Sequence, residues 1–155
     1  MRVVIFGPYK MTERIKKLKN HLRLADYSKT DYVEEMPNPV GLDDGGSDKK
    51  FASKKSKYYL GWSDVNLFVL FKDAKQGSVG VEIEHMFTKM PERKQCADFL
   101  FEKGIELETM IEGTIEENEF YLSDSFENDD ELYKMAESAC WTHLTQDECE
   151  KTRLF

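Results

Sequence analysis

The chain is poor in the residues that organise small disulfide or metal domains. Its cysteines, Cys96, Cys140 and Cys149, are odd in number and lack paired ligand spacing, so a disulfide framework or a zinc site is unsupported and reduced thiols are expected. His21, His85 and His143 likewise show no ligand spacing, and no metal is assigned. The acidic run Glu127 to Glu131 lacks the spacing of a calcium loop and reads as a helix start. No apolar run approaches the ~20 residues that span a bilayer, and MRVVIFGPYK enters a strand pattern instead of a signal-peptide pattern, so a cytoplasmic protein is expected. Positive charge is in deficit, with 22 Lys and Arg against 30 Asp and Glu and a formal charge of −8. That field repels polyphosphate backbones and anionic lipid, which argues against nucleic-acid or membrane partners and for a small-molecule ligand. Internal repeats are absent.

Apolar material is sufficient for a core. At 155 residues, with 40% hydrophobic and 12% aromatic side chains, the sequence predicts one domain over residues 1–155. Arg2 to Phe6 reads as a buried strand ending at Gly7-Pro8, and Met11, Ile15, Leu18 and Leu22 mark an amphipathic helix. A short strand follows around Asp31 to Glu34, before Pro37-Asn38-Pro39 breaks regular structure. Leu42 to Lys50 (LDDGGSDKK) suits a loop or lid, and Phe51, Tyr58, Tyr59 and Trp62 recur at near-helical intervals as core positions. Val65 to Phe71 is the most strand-like run and is placed at the sheet centre. Val79, Ile83, Met86, Phe87 and Met90 predict a helix that Pro91 ends. Further elements are a strand at Asp98 to Glu102, a helix at Ile105 to Ile115, a strand at Phe120 to Ser123, and a helix from Asp129 to Leu144. The alternation predicts an α/β fold, a doubly wound parallel sheet of about five strands in three layers, with ligands at the carboxyl ends of the strands.

The chemistry-bearing signal is a central strand running through a glycine-containing turn into a helix. In Gly77-Ser78-Val79-Gly80-Val81-Glu82, Glu82 is expected in the first turn, where the helix dipole would keep it ionised as a nucleophile or electrostatic stabiliser. Asp64, ahead of the strand, is the candidate second acid. Two carboxylates of different character suit cleavage at an anomeric carbon, one attacking the sugar and one handling the leaving-group proton. A plain dipole-matched surface acid is the competing reading for Glu82, and Glu84 and His85 are read as solvent-facing. Tyr9, on a loop after a strand, is a candidate for stacking a base. The lysines of residues 49–57 form a solvated helix face or an electrostatic lid for an anion.

The order VVIFGP, WSDVNLFVLF, GSVGVEIEHM resembles the nucleoside 2-deoxyribosyltransferase family. DFLFEKGIELETMIEG followed by EFYLSDSFENDDELYKM is similar to the closing region of its 2′-deoxynucleoside 5′-phosphate N-hydrolase branch. The resemblance implies a flavodoxin-like Rossmann variant, a homodimer, no cofactor, and a nucleoside or nucleotide as substrate. It implies that Glu82 is the nucleophile and Asp64 the assisting aspartate. It also implies substrate binding by Gly7, Pro8 and Tyr9 of the first loop and by Ser78 and Gly80 of the turn. The glycosyl group would pass to water in a hydrolase or to another base in a transferase. Ser78, Glu84, Glu108 and Glu112 depart from the family pattern, so a non-catalytic nucleotide-binding or sensing domain of the same fold stands as the alternative.

Overall fold

A computed structural model of the chain describes residues 1–42, 48–118, 125–146 and 152–155, leaving out the side chains of Asp48 and Lys49. The strand expected at Phe120 to Ser123 and Cys149 lie outside these residues, as do positions 43–47 of the expected lid. Residues 48–50 of that segment belong to a helix, a correction to the loop reading.

Five strands, β1 (Val3–Phe6), β2 (Thr30–Tyr32), β3 (Val65–Leu70), β4 (Ala97–Glu102) and β5 (Ser125–Phe126), pair in the order β2-β1-β3-β4-β5. Every pairing is parallel. This is the flavodoxin-like order, and β3 takes the central place that its mostly apolar run suits, since a strand covered on both faces must bury every side chain; its one polar residue, Asn66, is paired with the Ser63 hydroxyl and the Leu60 carbonyl.

Alternate side chains divide the core in two. Val3, Ile5, Val65, Leu67 and Val69 face helices α1 (Thr12–Leu24) and α5 (Asp129–Thr145). Val4, Phe6, Phe68 and Leu70 face α2 (Asp48–Trp62), α3 (Gly77–Lys89) and α4 (Thr109–Glu117), with Phe68 stacked between Phe6 at 5.1 Å and Phe99 at 5.2 Å. The fold is therefore three-layered and doubly wound. Among the described residues no helix is long and apolar enough to cross a membrane.

Helix ends follow local chemistry. The Asn128 side chain accepts the Glu131 N–H at 2.9 Å, and the Glu131 carboxylate reaches back to the Glu127 N–H at 2.7 Å, which starts α5 at the acidic run. α4 begins later than the apolar spacing predicts, because Ile105 and Leu107 pack on the core from the preceding loop. Glu108 marks the true start. Its carboxylate accepts the Gln76 N–H at 3.2 Å and its own N–H donates to the Gln76 side chain at 2.9 Å, clasping the first turns of α3 and α4 together.

Candidate active site

In the order β2-β1-β3 the chain leaves β1 toward one edge and later builds outward from β3 toward the other. Loops following β1 and β3 must diverge, and a crevice opens at their carboxyl ends. A cavity of about 460 Å³ lies there, in the range that holds small ligands. Gly7 and Tyr9 enter it from the loop after β1, and Glu34 from a 3₁₀ turn, Val33–Glu35, after β2. α2 contributes Ser53, Ser56 and Lys57, and α3 contributes Ser78 and Glu82.

Gly7 serves packing as well as access, because a Cβ there would lie 2.5 Å from Ile15 Cδ1. The loop continues through Pro8, whose carbonyl accepts the Met11 N–H at 2.9 Å and turns the chain into α1. Tyr9 is left 77% exposed at the rim, free to stack on a planar group.

α3 opens at Gly77, so Glu82 stands in its second turn, a correction to the first-turn placement. Beyond the free N–H groups the dipole gives little support, and burial dominates instead. Desolvation pushes the Glu82 carboxyl up to about 8; the Ser56 hydroxyl, hydrogen-bonded to it, pulls the other way, and the nearby charge of Glu34 adds to the rise. Near neutrality Glu82 is therefore protonated, not ionised. Burial also raises Glu34, against its own backbone N–H and Lys55, which favour its charge. Lys55, itself buried, is lowered by desolvation and raised by Glu34 and Asp31. His85 is half-buried, with burial and then Lys57 and Lys89 lowering it, so it is neutral at pH 7; Glu84 is exposed.

The structure thus brings together Gly7, Tyr9, Ser78 and Glu82, but not Pro8, Gly80 or Asp64. Pro8 is buried beneath its loop. Gly80 belongs to helix packing, since a Cβ there would meet Ile111 side-chain carbons at 3.1 and 3.2 Å. Asp64 precedes β3 and so sits at the amino edge, about 20 Å from the cavity at ~3.3 Å per strand residue. Its carboxylate accepts the Arg2 N–H at 2.6 Å and the Arg153 guanidinium at 3.0 Å. An Asp64→Asn protein is accordingly expected to lose about 1–2 kcal/mol of stability while its turnover at 20 °C stays within twofold of wild type, read by thermal melts and product assay.

A sequence reading misses Glu34, Ser53 and Ser56, whose convergence depends on strand order, while Lys57 comes from the lysine stretch 49–57 read as a solvated helix face or an electrostatic lid. No family model, curated protein or solved structure matches the chain. A second cavity of about 410 Å³, with Asp26, Lys29 and Trp141 in its wall, lies at the amino ends of the strands, and among the described residues Asp26 is its one carboxylate.

Proposed function

We propose that the chain is a cytoplasmic enzyme of the nucleoside 2-deoxyribosyltransferase type, acting on the N-glycosidic bond of a nucleoside or nucleotide. The observation that carries this reading is the meeting of Glu82 with a second carboxylate, Glu34, in a ligand-sized cavity at the switch point of the sheet. Glu82 attacks the anomeric carbon; the base departs with the bonding pair, and water or a second base then takes the glycosyl group from Glu82. Tyr9 stacks on the base, while Ser53 and Ser78 offer hydroxyls to the sugar. Lys57 offers a cation in the wall for a phosphate. A homodimer belongs to the same proposal.

The test is a panel of deoxynucleosides, their monophosphates and NAD, with free base followed by chromatography. Glu82→Gln is expected to cut release by at least ~10³-fold, the scale of a lost nucleophile, and Glu84→Gln to leave it within twofold. Failure of every panel member at high enzyme concentration contradicts the proposal.

One observation favours a second reading, a ligand-binding domain without turnover. Glu82 protonated near neutrality is a hydrogen-bond donor before it is a nucleophile. On that reading a panel member raises the melting temperature, by mass action on the native state, and no base is released.

A further inference from the structure

We infer that Glu34 is the proton-handling partner of Glu82, the role that residue order assigns to Asp64. The inference rests on the glycosidase reading, and it follows from where the strands place the acids. Asp64 is held by the Arg2 N–H and Arg153 at the far edge, whereas Glu34 is delivered by the turn after β2 into the same cavity as Glu82.

Glu34 is also the better placed of the two to carry charge. It lies at the rim, backed by buried Lys55 from α2, and Lys57 from the same helix stands in the cavity wall. On its own turn the neighbouring Glu35 is occupied elsewhere, paired with Lys19 at 2.7 Å and accepting the Tyr32 hydroxyl at 2.6 Å, and Asp31 on β2 pairs with Arg23 at 3.4 Å. From the loop after β1 only the Tyr9 phenol faces the site. Glu82, deeper and bonded to Ser56, is the member of the pair that burial keeps protonated.

The single proton on the pair then has a defined route. Glu34 carboxylate takes the proton from the Glu82 carboxyl, leaving Glu82 as the anion. A Glu82 oxygen bonds to the anomeric carbon as the bond from that carbon to the base nitrogen breaks, its electron pair going to the nitrogen. Glu34 gives its proton to that nitrogen. In the second half a water oxygen bonds to the anomeric carbon, the water proton goes to Glu34, and the ester bond breaks with its pair returning to Glu82. The active enzyme is the singly protonated pair, so kcat/KM is bell-shaped in pH, and its alkaline limb is the loss of that last proton near 8.

Two measurements test this on the full chain. With carbon-13 label in the glutamate carboxyls, the Glu82 signal is expected to titrate in two coupled steps in wild type, and in one step at lower pH in Glu34→Gln. An unchanged Glu82 titration overturns the pairing, whether or not any substrate turns over. In the assay, Glu34→Gln is expected to lower kcat/KM by ~10²–10⁴-fold on a purine deoxynucleoside and to abolish the alkaline limb. The loss should stay below ~10-fold on an N7-methylated purine deoxynucleoside, whose base leaves without needing a proton. Glu34→Asp should recover part of the loss on the first substrate only. Equal losses on both substrates, or none, overturn the role of Glu34, whereas a wild type inert to both while the coupled titration is present removes the glycosidase reading and leaves the proton-sharing pair standing.

Discussion

At pH 8 the Glu82→Gln protein is expected to melt several degrees above wild type, and at pH 4.5 the two should melt together. In the unfolded chain the Glu82 carboxyl titrates at its ordinary value near 4.5, and in the folded chain only at about 8. Between those values the unfolded state has released a proton that the native state keeps, so rising pH favours unfolding. Below 4.5 both states are protonated and the term vanishes; above 8 it is complete. A shift of this size is worth on the order of 3 kcal/mol at a half-buried site, or roughly 6–12 °C in a domain of this length. Glutamine carries no such penalty. Melting curves of the two proteins across pH 4–9 read the difference directly, and a gap that does not depend on pH would show that Glu82 is not held protonated by its cavity. Stability given up at one half-buried acid is what a working site commonly shows.

Arg93→Met should have the largest effect on stability alone, about 3–5 kcal/mol, lowering the melting temperature by roughly 6–20 °C. Arg93 is fully buried in the 3₁₀ segment Pro91–Cys96. Its Nε donates to the Leu60 carbonyl at 3.3 Å, and its terminal nitrogens donate to the Ser63 carbonyl, to Ser63 Oγ at 3.2 Å and to Thr152 Oγ1 at 3.3 Å. One guanidinium thus satisfies carbonyls at the end of α2, which no later turn can reach, and ties the C-terminal residues to them. Methionine fills similar volume but takes the guanidinium donor from the buried Ser63 carbonyl, while the Leu60 carbonyl keeps the Asn66 amide at 3.1 Å. Because the cluster lies at the amino edge, kcat measured well below the melting transition should stay within twofold of wild type, and a large loss there would contradict the separation of the two edges.

The legible parts of the fold were those whose pattern is local. VNLFVLF has the length and β-branched, aromatic content of a strand buried on both faces, and the four-three-four spacing from Met11 to Leu22 is that of a helix covering a sheet on one side. The start of α4 was obscured because Ile105 and Leu107 reach the core from a loop, mimicking helical spacing. In the site, Gly7 and Tyr9 were legible because they directly follow β1, and Ser78 and Glu82 because they lie on the helix into which β3 leads. Glu34 was not. It sits beside Glu82 only because β2 pairs with the far side of β1, a long-range fact that no window of sequence contains. The misreading of Asp64 has a plainer cause, because a residue just ahead of a parallel strand lies at the amino edge, a strand's length from any ligand held at the carboxyl edge. Because α3 begins at Gly77, Glu82 lies past the free N–H groups, and burial rather than the helix dipole sets its charge.

The most direct test is a crystal structure of Glu82→Gln soaked with a purine deoxynucleoside. The sugar is expected in the cavity between the first loop and α3, with its anomeric carbon ~3–3.5 Å from the side-chain oxygen at position 82 and the base nitrogen toward Glu34. A nucleoside bound elsewhere, or one whose sugar points away from position 82, would contradict the account.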